Sequence, residues 1–232
     1  AIIKDLHTVR LDLTEEHIDP IGVQELLDDA LIRGRQAASV VNNLVSFSDA
    51  GAGEKQLANI IDVMDHSVEL AADVLSVTKG LRFKDVAINH NYAEDLPQLR
   101  CHVPELQQVF LSLFRYSCYA LGKVEDPEHR PSINIEISEF YDAIWVRVQH
   151  NGVGMSTAEQ QLIFEPFFAS SHATADSDSA SAEKSDAGER LSFAQFIIAD
   201  QHQGQIAVTS DINIGTTFHI QLPFATAVVA ED

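Results

Sequence analysis

The residues with the most chemical promise lie in the second half of the chain. Asn151-Gly152-Val153-Gly154-Met155 follows an alternating strand pattern, and Ile163-Phe164-Glu165-Pro166-Phe167-Phe168 follows a short helical one. Alone, Asn-Gly-Val-Gly marks no more than a turn. The strand before it and the Phe-Glu-Pro-Phe-Phe after it raise it to a candidate site. The other reactive types are less organised. His90, His102, His150, His202 and His219 have no metal-ligand spacing, so structural or surface roles are expected for all five. Cys101 and Cys118 make no CxxC pair, which excludes a zinc ribbon and a disulfide scaffold. They read as small core residues with reduced thiols, the usage of a cytoplasmic protein. Tyr116 and Tyr119 read as packing residues rather than catalytic phenols, and Phe164, Phe167 and Phe168 as core.

The composition narrows the partners. The 232 residues carry 15 Lys and Arg against 35 Asp and Glu, a formal net charge of -20. Such a chain is no nucleic-acid binder, because phosphate contacts need clustered cations. It is equally unsuited to an anionic membrane surface. Hydrophobic residues make up 45%, enough for a core and too many for a disordered acidic chain. No apolar run approaches the ~18 residues of a membrane span, and no signal peptide is visible. The chain starts at Ala1, not Met, and reads as an excised piece of something longer.

The elements that must position the site follow from periodicity. Residues 1–18 predict a short helix, broken at Asp19-Pro20, and residues 23–47 a second one with the stripe Val23, Leu27, Ala30, Ala37, Val41 and Leu44. Ala50-Gly51-Ala52-Gly53 predicts a linker, giving a helical hairpin over 1–50, a second domain over 54–225 and a tail at 226–232. In the second domain, helices are expected over 57–78 (closed by Lys79-Gly80), 104–121 and 194–202. Strands are expected over 86–92, 133–137, 144–148, 206–209 and 217–222. Neighbouring strands at 133–148 and 206–222 look like hairpins, so the expected class is α+β, with a mixed sheet covered by helices on one face. Residues 169–189 are small, polar and acidic, and read as a flexible loop or lid.

Taken together, Asn151–Met155, the Phe-Glu-Pro-Phe-Phe run and the closing hairpin 204–223 with Gly215-Thr216-Thr217-Phe218 resemble the ATP-binding catalytic domain of sensor histidine kinases, within the GHKL ATPase superfamily. The helix Glu105–Leu121 looks like that family's N box, and Val40–Ser48 looks like the second helix of its dimerisation and phosphotransfer hairpin, which pairs between two chains as a four-helix bundle. The resemblance covers roughly residues 20–224. It implies a GHKL-type α/β sandwich and a nucleotide site containing Gln108, Ser112, Tyr116, His150, Gly152, Gly154, Gly188 and Thr216. In the family, the turn at 150–154 holds adenine with a carboxylate, the N box gives Mg²⁺ an amide oxygen, and the glycines near 188 open a helix whose N–H groups face the phosphates.

The sequence departs from that pattern at the positions that face the ligand. His150 stands where the family has Asp. Ser112 and Tyr116 replace two N-box asparagines, and Tyr116 falls at the expected Mg²⁺ ligand. Gly188-Glu189-Arg190-Leu191-Ser192-Phe193 keeps at most one glycine of the phosphate loop, and Glu189 adds a negative charge there. From residue 151 onward only Lys184 and Arg190 are basic, against eleven acidic residues, which also disfavours a triphosphate. These losses imply a degenerate, pseudokinase-like signalling module of a two-component sensor with weak or no ATP hydrolysis. Two other readings stand beside it: an active histidine kinase with atypical ATP and Mg²⁺ contacts, or a histidine phosphotransferase with a decayed ATPase domain. His7 is a weak phosphoacceptor candidate, followed by Thr8-Val9-Arg10 rather than an acidic residue. The implied partners are a second copy of the chain through the hairpin and a response regulator or partner kinase.

Overall fold

The computed structural model describes residues 54–75, 81–165 and 191–224, together with Leu27. The chain divides between Ala52 and Gly53 into two units, and the fold below is that of the second. The expected helical hairpin, His7, the lid 169–189, Gly188 and the tail lie outside the described residues.

The core grows from the alternation of the strands. β4 (Ser132–Phe140) and β5 (Ala143–His150) pair antiparallel, with Ile135 opposite Val148 and Ile137 opposite Val146. On the other side of β5 lies β7 (Gly215–Pro223), with Phe218 opposite Val148 and Ile220 opposite Val146. Ile133, Ile135, Ile137, Ile144, Val146, Val148, Phe218, Ile220 and Leu222 thus share one buried face. The opposite face carries Asn134, Glu136, Arg147 and His219, where Arg147 pairs with Glu136 at 2.9 Å and Thr209 meets His219 at 2.8 Å. β6 (Gln205–Asp211) adds antiparallel to β7, and β2 (Ala87–Tyr92) adds parallel to β4. The five-stranded order is β2-β4-β5-β7-β6. This is the mixed sheet expected from the sequence.

Two long helices complete the core. α1 (Ile60–Val74) buries Ile60, Val63, Met64 and Ala71, and α2 (Val103–Leu121) buries Leu106, Val109, Phe110, Leu113 and Phe114. Both stripes join the apolar cluster of the sheet's inner face. Phe114 also meets Phe83, from the short 3-10 turn Phe83–Asp85, at 5.3 Å between ring centroids. Cys101 and Cys118 are buried and unpaired, and burial pushes their thiols up to about 11 and about 12.

The structure corrects several boundaries. The helix expected over 57–78 begins at Ile60, because the Asn59 side chain accepts the Ile61 N–H at 3.0 Å and caps the first turn. It ends at Val74, where Leu75 turns extended. Residues just before it form a short strand, β1 (Gln56–Ala58), paired antiparallel with β3 (Leu99–Cys101). Both strands have three residues, too short for alternation to reveal. Between Met155 and Ile163 lies α3 (Thr157–Leu162), opened by a reciprocal cap in which Ser156 accepts the Glu159 N–H and Glu159 accepts the Ser156 N–H. The helix expected over 194–202 is already helical at 191. This helix, α4, runs over 191–196 and loosens into a π turn over Ile197–Gln201.

His202 explains how α4 is held. Its Nδ1–H donates to the Ile197 carbonyl at 2.9 Å, which leaves Nε2 to accept the His102 N–H at 3.1 Å. His102 is the N-cap of α2 and its side chain makes no capping bond, so His202 serves that helix start from a distant part of the chain.

Asn59→Ala removes the cap of α1 and is expected to cost about 1 kcal/mol. Urea unfolding reads this as a lower midpoint at unchanged slope; an unchanged midpoint would show that the cap contributes nothing.

Candidate functional site

β5 ends at His150, and the next five residues turn under the C-terminal end of α2. Backbone packing fixes that turn. A Cβ on Gly152 would stand 2.6 Å from the Ala120 carbonyl carbon and the Leu121 nitrogen. A Cβ on Gly154 would stand 1.8 Å from the Asp211 carbonyl oxygen. Gly215 has φ +140°, and a side chain there would strike the His150 carbonyl. The Val153 N–H donates to the Ala120 carbonyl at 3.1 Å. The space beside Gly152 and Gly154 is therefore filled by the protein's own backbone.

Side chains lock the turn from both ends. Asn151 accepts the Ser132 N–H at 2.8 Å and donates to the Arg130 carbonyl at 2.9 Å. Ser210 Oγ accepts the Met155 N–H and donates to the Gly215 carbonyl, each at 2.8 Å. With its single proton committed, Ser210 can only accept from Thr216 Oγ1, also 2.8 Å away. Gln160 spans the same place, donating to the Ser210 and Met155 carbonyls and accepting the Ser210 N–H. The sequence reading missed Ser210 and Gln160. Polar residues in an edge strand and a short helix carry no signal of a shared network.

His150 and Tyr116 face each other inside this frame. His150 is 1% exposed, and its Nδ1 accepts the Gly152 N–H at 3.1 Å. The ring proton therefore sits on Nε2, which is buried and has no hydrogen-bond partner. Burial pushes the imidazole down to about 4, so it is neutral at physiological pH. Tyr116 is 8% exposed. Its ring meets Phe218 edge-on at 5.5 Å and lies 6.0 Å from the His150 ring and 6.3 Å from the Tyr119 ring. Burial, with Glu159 and Tyr119 nearby, raises the Tyr116 phenol well above its ordinary range. Tyr119 carries the Lys123 ammonium 4.4 Å from its ring centroid, while its hydroxyl is buried without a partner.

Of the residues singled out in the sequence, Tyr116, His150, Gly152, Gly154 and Thr216 meet around the end of β5. Ser112 and Gln108 lie one and two turns back along α2. The Ser112 hydroxyl donates to the Gln108 carbonyl at 2.8 Å and so is turned onto its own helix. This set does not fit Mg²⁺, which takes hard oxygen ligands and keeps several waters. Tyr116 is wedged among rings, Ser112 is committed, and His150 presents an N–H. Nor does His150 fit the amino group of adenine, since Nε2–H and an amine are both donors. Among the described residues, no group of His, Cys, Asp and Glu could hold a metal ion. No helix there is long and apolar enough to cross a membrane.

Comparison with known proteins agrees with the fold. The family model described as histidine kinase-, DNA gyrase B-, and HSP90-like ATPase matches residues 102–226. A sensory histidine kinase/phosphatase NtrB of Rhizobium leguminosarum is 26% identical over 91% of this chain and 55% of its own length. A sensor histidine kinase ZraS of Salmonella typhimurium is 26% identical over 79% of this chain and 34% of its own. The chain thus spans about half or less of these relatives. Among solved structures, the catalytic domain of histidine kinase ThkA covers 74% of this chain and 97% of its own at a TM-score of 0.56 and 21% identity. A mycobacterial sensor histidine kinase MprB covers 73% and 97% at 0.54 and 16%.

The buried neutral state of His150 sets a pH dependence. Its folded value lies below the ordinary 6.5, so the unfolded chain binds the extra proton. Stability from this group is complete above about pH 6.5 and is lost as pH falls towards about 4, by roughly 3 kcal/mol in all. Between about pH 7 and about pH 4, urea unfolding should show the native chain losing 2–3 kcal/mol more, in rough terms, than a His150→Asn variant. Equal acid sensitivity would contradict the assignment.

Proposed function

Because the chain belongs to the family of histidine kinase-, DNA gyrase B- and HSP90-like ATPases, we propose that it is the cytoplasmic signalling module of a two-component sensor whose ATPase-type domain keeps the fold and has lost the phosphoryl-transfer chemistry. The observation that carries this reading is Tyr116. A buried phenol packed on Phe218 and His150 occupies the place where the family's pattern puts a metal-binding amide. Phosphoryl transfer depends on metal and backbone donors neutralising the developing charge. Here Tyr116 offers no metal ligand, the Ser112 hydroxyl is spent on its own helix, and the acidic chain adds repulsion.

The module then works by binding. Its relatives are named sensor kinases, and one is named a kinase/phosphatase. Residues 1–50, read as a dimerisation hairpin, would pair two copies of the chain. The second unit would serve as a rigid docking platform for a response regulator or a partner kinase. A rigid platform suits this role because docking a preformed surface loses little conformational freedom.

Calorimetric titration of the full chain with ATP, with and without Mg²⁺, tests the reading, paired with incubation in labelled ATP. The expected outcome is no Mg²⁺-dependent heat, no thermal shift at millimolar ATP and no label on the protein. Micromolar binding that requires Mg²⁺, or acid-labile phosphate on the chain, overturns it.

A further inference from the structure

The hairpin that joins β4 to β5 ends the sheet on two aromatic side chains. Phe140 pairs with Ala143, so Tyr141 and Asp142 form the loop between the strands. Phe140 is 60% exposed and Tyr141 83%, and their rings meet edge to face at 4.4 Å between centroids. An adjoining pair of exposed rings is unlike the apolar residues scattered singly over any surface. Tyr141 also stands at φ 54°, in the left-handed region. Where other described residues outside glycine adopt that conformation, they are Asp95, Gln203 and Asn213. Asp and Asn tolerate it through their short polar side chains, whereas an aromatic residue gains nothing from it. The loop therefore bears a strained backbone while presenting a ring that lies mostly in solvent, a combination that points to a role outside the fold.

The charges around the pair say what it fits. Glu139 and Asp142 flank it in sequence, and both are exposed. The Ala93 N–H donates to the Ile137 carbonyl at 2.8 Å, which brings the exposed Glu94-Asp95 turn to the same end of the sheet. Arg147, further along β5, is already paired with Glu136. We infer that this hairpin tip docks into an apolar cleft bordered by Lys and Arg on a partner protein. The rings of Phe140 and Tyr141 fill the cleft and meet its cations face-on, while Glu94, Asp95, Glu139 and Asp142 pair with the basic rim. Tyrosine is among the residues that carry most of the energy of such contacts. Charge decides against other occupants. A second copy of a chain with a formal charge of -20 sets like charge against like, and an anionic bilayer does the same. The inference rests on the preceding reading of this unit as a docking platform, and it names the surface that docks and the chemistry of what it meets.

The probe is a synthetic amphipathic helix with leucine on one face and lysine on the other, titrated into the full chain by calorimetry at physiological salt. Its two controls exchange lysine for glutamate, or leucine for serine. The leucine–lysine peptide should bind more tightly than either control, and Tyr141→Asn should weaken it about tenfold, the loss of one aromatic anchor. Asn suits the left-handed turn, so this variant should unfold at a urea midpoint equal to or above that of the native chain. A lower midpoint shows that the ring is kept for stability and overturns the inference. So does an unchanged peptide affinity in the variant, which leaves only non-specific attraction to an acidic chain, and so does equal affinity for either control or no heat from the leucine–lysine peptide. Sedimentation of the chain alone and flotation with phosphatidylcholine vesicles test the other occupants: self-association or vesicle binding that disappears in Tyr141→Asn overturns the basic partner. Titration with ATP tests the preceding reading separately. Mg²⁺-dependent binding would overturn the loss of ATP chemistry and leave the docking tip standing, whereas an unchanged peptide affinity with no response to ATP would overturn this inference alone.

Discussion

The structure depends on backbone lying against backbone at the end of β5. Gly152 presses on the last turn of α2, Gly154 closes against the turn between β6 and β7, and Gly215 closes against the His150 carbonyl. Three elements distant in sequence meet there with no room for a single added carbon. Interiors packed at crystal-like density transmit such a constraint rather than absorb it. The same contact that sets the helix against the sheet also aims His150 at Tyr116. A side chain at Gly152 would separate the helix from the strand and dissolve both the core seam and the site.

The second anchor of α2 works by a different means. Its first turn lacks a capping side chain, and His202 supplies one bond from the far end of α4. Lys55 adds a contact to the Gln201 carbonyl in the same region. The helix is thus fixed by sterics at its C-terminal end and by a hydrogen bond at its N-terminal end. Between these points its apolar stripe packs into the core against the inner face of the sheet.

Much of this was legible in the sequence, for reasons that differ by element. Strands β4, β5 and β7 alternate over eight or nine residues, so their period shows plainly. α2 announces itself by Pro104 and Glu105 in its first turn. β1 and β3 were invisible because three-residue strands have no period to read, and the cap at Asn59 marks the helix start more sharply than hydrophobicity does. Of the site, the strand–turn frame was legible, and so were Tyr116 and His150 as candidates, which the structure brings together near the end of β5. The family resemblance implies Gly152 and Gly154 in a nucleotide site, whereas the structure packs both against neighbouring backbone. Nothing local to Gly154 could reveal Asp211, which lies on another strand. The tautomer of His150 was equally hidden, since it follows from the Gly152 N–H and not from residue type.

These differences separate two kinds of constraint on one chain. Residues that pack, such as Leu113, Val148 and Phe218, answer to volume and must stay apolar whatever the domain binds. Residues that face the end of β5 answer to donor and acceptor pattern. A neutral imidazole at position 150 fits the packing, because the Gly152 N–H finds an acceptor in Nδ1. The fold therefore tolerates His150, and its cost is confined to one unpaired N–H. A core of this kind fixes the architecture by volume and leaves the donor and acceptor pattern at the strand end to individual side chains.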